Sequence, residues 1–457
     1  MKRILVLSLC LLLAACTAPT GPETPARAEV GAAPDLSGLK MFAATNPGPP
    51  TRSNRDIARD FVDLSFELES GRVLPRLTRF EGPITLRVTG RPSPTLTRDL
   101  DQLLSRLRRE ARIDITRVAG PAANITIEAV SRAQIRAALP RAACFVVPNI
   151  DNLSEYRRLR TNRATNWALL DTRQKIAIFV PNDAAPQEVR DCLHEELAQA
   201  LGPLNDLYRL SDSVFNDDNV HTVLTRFDML ILRAYYDPAL RSGMSRAEVI
   251  NALPPILARL NPRGETIASR PASATPRAWI EAIQTALGPG ARHSQRISAA
   301  RNALNIAEEM RWSDHRRAFS HFAMGRLVQT NDPELAHTHF EIAETFYRQT
   351  PGTELHRAYS ATHLAAYQIH KRQGRAAIAL ITPHLATAER YENAALLATL
   401  MLLRAEALDL SGRASEAQAV RLDSLGWARY GFGTTWEGSG GMRDIAAVQT
   451  KQQQNGL

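Results

Sequence analysis

Residues 194–202 read HEELAQALG, and the frame in which this stretch is read decides the fold of the first half of the chain. On a wheel of about 100° per residue, Val189, Leu193, Leu197 and Ala200 form an apolar centre. His194 and Ala198 fall on the far side, so a frame that opens at His194 puts this histidine towards solvent, about 160° away from Glu196. Moving the frame by one residue gives a different picture. Glu195 and Gln199 lie one turn apart on one face, and Glu196 lies at the margin of the apolar stripe, between Cys192 and Val189. A carboxylate held at the edge of a core is partly desolvated, which raises its pKa and suits a general base. Gly202 stands where a helix ends on glycine, and Asn205 returns towards the same face.

The segments before this helix alternate with the period of strands. ITLRVT (84–89), 113–118, 125–130 and KIAIFV (175–180) are four such runs, with a further strand expected around Phe145. A helix over 97–111 with Leu100, Leu103, Leu104 and Leu107 on one stripe falls between the first two, and another over 55–70 precedes them all. Strands with one early crossover helix and a second helix after the last strand define an α+β layer. Beyond Asn205 the chain is irregular through SDSVFNDDN (211–219), a solvated or helix-capping loop in this reading. It becomes helical again at 225–236, and once more after Ser245, where Ser245 and Glu248 have capping-box spacing.

A stretch rich in Pro, Gly, Ser and Thr (261–276) separates this part from one that reads helical from Trp279 onward. NDPELA (331–336), GRAAIA (374–379) and GRASEA (412–417) each offer a tight turn followed by a small residue where two helices would pack. They are spaced 43 and 38 residues apart. The pattern resembles tetratricopeptide-type hairpins, with longer repeats than that family uses. Such stacks present concave surfaces that bind peptides or proteins. The tail from 433 to 457 reads as disordered.

At the other end, Lys2 and Arg3 precede an apolar run, Ile4 to Leu13, too short to span a bilayer. It closes with LAAC (13–16), which resembles the lipobox of bacterial lipoproteins. That resemblance implies a signal peptide over 1–15, a lipid on Cys16 and a flexible tether over 16–50, rich in Pro, Ala and Thr. The protein would then be anchored by lipid in the cell envelope, facing the periplasm. With Cys10 removed and Cys16 acylated, Cys144 and Cys192 are the pair left in an oxidising compartment, as a disulfide or as two buried thiols. The net charge of +9 does not point to nucleic acid. Only five of the 56 basic residues are lysine, and the densest arginine cluster (106, 108, 109, 112) has no interleaved aromatic residues and reads as a solvated helix face.

The strand order, the glycine turn and the LTRFDMLILRAYYDP segment (224–238) resemble a zincin metalloprotease domain. EELAQALG, ND (205–206), SVFND (213–217), LTRFD, YYDP and GMS (243–245) are together similar to the bacterial family called domain of unknown function 2927, over about 55–262. The expected architecture is a zincin-like α+β domain over 55–262, followed by an all-α, tetratricopeptide-like domain over 277–432. The zincin likeness implies that Glu196 is the general base and Gly202 the turn. It also puts Glu195, Gln199 and Asn205 where three metal-binding histidines would stand. Zinc prefers imidazole and thiolate, whereas this oxygen set suits calcium or manganese. Two functions follow. One is a binding or scaffolding protein whose repeats hold a protein or peptide. The other is a metal-dependent peptidase or hydrolase that uses Glu196.

Overall fold

The computed structural model describes residues 26–28, 39–40, 42, 50–140, 142–270 and 272–433. The expected signal peptide, the lipidation position Cys16, most of the tether and the tail beyond 433 lie outside the described residues.

The first part is built on one sheet. In chain order come β1 (Ala26–Ala28), α1 (Asn54–Ser65), β2 (Ile84–Gly90), α2 (Pro94–Arg106), β3 (Ile115–Arg117), β4 (Ile125–Val130), α3 (Arg132–Ala138), β5 (Ala142–Pro148), α4 (Leu153–Leu159) and β6 (Ile176–Pro181). The sheet order is β1-β5-β6-β4-β2-β3. β3, β2, β4 and β6 run parallel, and β5 and β1 are antiparallel to their neighbours. Both faces are covered, which is why β6 is apolar throughout. Ile176, Ile178 and Val180 enter the main core, and Ala177 and Phe179 enter a smaller one under α3 and α4. Each such buried branched side chain stabilises the fold by roughly 1.5–3 kcal/mol.

Three local differences from the sequence reading have physical causes. Helix α1 stops at Ser65, short of 70, because Phe66 and Glu67 peel away to pair with Leu74 and Val73 around the positive-φ turn at Gly71. Helix α2 continues through a π-helical turn (Leu107–Ala111) that ends on Arg112 in the left-handed region. Arg106 is buried there, bonded to Glu110 at 2.9 Å and to the Leu224 carbonyl at 2.9 Å, so this end of the arginine cluster is not solvated. The short helices α3 and α4 are not among the elements that periodicity predicts. Their signals were the Ser131–Gln134 capping box and the Asn152 cap, with too few turns to show a period.

After the sheet come α5 (Pro186–Leu201), α6 (Arg226–Tyr235) and α7 (Arg246–Leu260). A disulfide joins Cys144 on β5 to Cys192 on α5. The second part is all helical: α8 (Arg277–Leu287), α9 (His293–Glu309), α10 (His315–Val328), α11 (Pro333–Gln349), α12 (Glu354–His370), α13 (Gly374–Arg390), α14 (Ala394–Leu410) and α15 (Ala414–Phe432). They pair as successive hairpins. The three turns read from the sequence join α10 to α11, α12 to α13 and α14 to α15. The small residues after them, Ala336, Ala377 and Ala417, are buried where the helices pack. Among the described residues no helix is long and apolar enough to cross a membrane.

The two parts are packed against each other. Tyr208 stacks edge-on against Trp279 of α8 at 5.0 Å, and its carbonyl is 2.6 Å from His315 Nε2 of α10. Asp218 meets His356 of α12 at 2.9 Å, and Val220 joins the core formed by α12 and α14. The irregular segment 205–224 thus lies along the first helix of three successive hairpins. It is neither a solvated loop nor a cap alone.

Candidate functional site

Helix α5 is the centre of the molecule. All sixteen of its residues are buried, polar ones included. His194 is therefore not on a solvent side. It is 5% exposed, and its Nδ1 accepts the Leu224 backbone N–H at 3.0 Å. Periodicity identifies the face that meets the sheet. It is silent about the opposite face, which is covered here by segment 202–225, by α15 and by the turn between α13 and α14.

The N-terminal half of α5 docks on the helical part. The Gln187 amide donates to Asn393 Oδ1 at 3.1 Å and accepts from the Ala395 N–H at 3.0 Å. Arg190 donates to the Glu392 carbonyl, lies 3.6 Å from the Glu392 carboxylate and sits over the Tyr430 ring. The Tyr430 hydroxyl in turn donates to Asp99 of α2 at 2.8 Å. Burial pushes the Asp99 carboxyl up to about 6, against the pull of Arg190 and Tyr430. A buried charge needs such partners, and these come from four separate elements.

The C-terminal half carries the residues singled out in the sequence. Glu195 is 7% exposed, and Glu196 and Gln199 are fully enclosed. Neither amide atom of Gln199 has a hydrogen-bond partner. Asn205 is buried as well, and its amide donates to the Asp63 carbonyl at the end of α1, 2.9 Å away. The structure thus brings Glu195, Glu196 and Gln199 together on one helix and ties Asn205 to another.

Among the described residues no three His, Cys, Asp or Glu side chains converge as a metal-holding group. Glu195, Gln199 and Asn205 supply one carboxylate and two neutral amides. That is a poor match for zinc, and a calcium or manganese ion held here would take the rest of its oxygens from backbone carbonyls or water.

The end of α5 at Gly202 was visible in the sequence; how it is held there was not. Gly202 is its C-cap with an extended φ of −167° rather than a left-handed one. Glycine is required for a different reason: a Cβ there would stand 2.9 Å from the Tyr235 ring. Beside it the buried Arg173 donates to the carbonyls of Gln199 (2.6 Å), Ala200 (2.9 Å) and Gly202 (2.5 Å). Arg173 lies in an irregular segment with no motif around it. The histidines of segment 205–224 and its partners are equally silent in sequence. Burial lowers His221 and His315 to about 4, so both are neutral at pH 7.

Two depressions open elsewhere on the surface. One, of about 580 Å³, is a groove between α11, α12 and α13. The other, of about 740 Å³, lies where α6, the π turn after α2 and the end of α7 meet.

A mixed sheet crossed by a wholly buried helix and clasped by helical hairpins defines a two-part protein, α/β and then all-α. Its first part is matched over residues 54–255 by the family model described as protein of unknown function (DUF2927), which supports placing this segment in that family. No curated protein matches the chain.

Proposed function

We propose that this chain is a lipid-anchored protein of the bacterial cell envelope that binds a protein or peptide partner. Its zincin-like first part serves as a scaffold, and its tetratricopeptide-like hairpins carry the partner site. The observation that carries this reading is the groove between α11, α12 and α13. Leu364, Leu380 and Pro383 contribute apolar surface, and Glu341, Arg348 and Arg357 supply both signs of charge. An apolar trough with mixed charges suits an extended peptide held by its side chains. Segment 205–224 packs on α8, α10 and α12 and leaves this groove open. The peptidase reading has the unpartnered amide of Gln199 in its favour. Against it stand the complete enclosure of Glu196 and the poor metal-donor set.

Two measurements test the proposal. Cys16→Ala is expected to move the protein from the membrane fraction to the soluble fraction, because a lipid supplies roughly 0.8 kcal/mol per buried methylene and no helix among the described residues is long and apolar enough to cross a membrane. An unchanged membrane fraction would rule out the anchor. A photo-crosslinking residue at the exposed Thr345 is expected to capture one partner in the envelope of producing cells. Leu380→Glu should abolish that product, and Glu196→Gln should leave it intact. A product that survives Leu380→Glu, or none at all, would remove the groove from consideration. Hydrolysis lost only in Glu196→Gln would favour the enzyme instead.

A further inference from the structure

The larger depression has a different chemistry from the groove. Met229 and Leu230 of α6 and Leu260 of α7 line it with apolar surface, and Arg109, Arg226, Arg233 and Arg263 line it with charge. These arginines come from three separate places: the π turn, α6 and the short turn after α7. Their convergence is made by the fold and is not a charge run in the sequence.

Several arginines close to the cleft find carboxylates. Arg106, next door, is bonded to Glu110 at 2.9 and 3.0 Å, and Arg209 to Asp60 and Asp63 at 2.8 and 2.9 Å. Those lining the cleft do not, and four of them share one depression. Among the described residues Arg226, Arg233 and Arg263 make no ion pair, and Arg109 reaches only the Ser105 hydroxyl. Glu110 is the one carboxylate on the lining, and Arg106 already holds both of its oxygens. A concave wall of low dielectric, lined by one sign of charge, concentrates anions. Guanidinium groups favour phosphate because their planar donors match its oxygens two at a time.

We propose that this cleft binds an anionic phosphate amphiphile, with the phosphate among Arg226, Arg233 and Arg263 and the apolar chain against Met229, Leu230 and Leu260. Free phosphate would leave the apolar lining wet and most of the volume empty. A cavity of about 740 Å³ is the size that holds a small lipid-like molecule. The proposal does not depend on the groove or on the partner reading above.

The test is calorimetric titration of the full chain carrying Cys16→Ser, with three probes: dihexanoyl phosphatidic acid below its micelle concentration, dihexanoyl phosphatidylcholine, and inorganic phosphate. Phosphatidic acid is expected to saturate at one per chain and to bind at least tenfold tighter than either of the others. Arg226→Gln with Arg233→Gln is expected to weaken it at least tenfold. Arg263→Gln, a change at an exposed position, guards against a folding defect and should weaken it several-fold at an unchanged melting temperature. Arg348→Gln, an exposed arginine on α11, should leave it alone. Absence of saturable binding, equal binding of phosphatidylcholine, phosphate binding as tightly as phosphatidic acid, or affinity indifferent to the arginine variants would each overturn the proposal.

Discussion

Arg173→Ala is expected to destabilise the protein by about 3–5 kcal/mol, measured as a shift in chemical denaturation. The last turn of any helix leaves carbonyls without partners, and at the end of α5 these carbonyls are buried. The Arg173 guanidinium serves two of them, at Gln199 and Ala200, and the Gly202 carbonyl just beyond. Its Nε also reaches the Thr78 hydroxyl at 3.3 Å, and its plane lies over the Trp167 ring at 5.1 Å. A cation here also complements the negative end of the helix dipole. Alanine would leave three buried acceptors unmet at once, each a loss of about 1–3 kcal/mol, only partly repaired if water enters. Arg173→Lys keeps the charge and loses the fork, so it should fall between the two. A loss below about 1 kcal/mol for alanine would mean that water already reaches these carbonyls.

Replacing Cys144 and Cys192 together by alanine is expected to cost about 4 kcal/mol on the chain-entropy account, given a loop of 48 residues in sequence separation. Both cysteines are fully buried, so alanine avoids placing a hydroxyl in the core. The bond joins the antiparallel strand β5 to the helix that everything else packs against. Its loss should therefore lower the cooperativity of unfolding in the first part as well as its midpoint. Reductant should shift the wild-type urea midpoint to that of the double variant and leave the variant unmoved. Equal midpoints for wild type and variant without reductant would show that the packing of α5 alone holds the helix on the sheet.

How much of this was legible beforehand depends on distance along the chain. Alternation over Ile84–Gly90, Ile125–Val130 and Ile176–Pro181 identified strands, because period two is a property of consecutive residues. The order of those strands was not legible, since β6 lies between β4 and β5 by tertiary choice. The length of α5 was legible from its apolar repeat and Gly202. Its burial was not, because the residues that cover it, Leu224, Asn393 and Tyr430, are remote in sequence. The cysteine pair could be named by elimination alone. Arg173 could not be named at all: a lone arginine in an irregular segment looks the same whether it faces water or caps a helix. The same holds for the cleft arginines, which only the fold brings together.

Segment 205–224, lying along α8, α10 and α12, gives the two parts of this protein a face that neither can complete alone. A helical array that keeps its inner surface to itself can be exchanged between proteins without repair. Here Tyr208, Asp218 and Val220 fill positions among the array's own side chains, so parting the two would open both. A substitution at His315 or His356 is a substitution in the neighbour's environment too, and must be answered there. The array is thus the other side of a shared core.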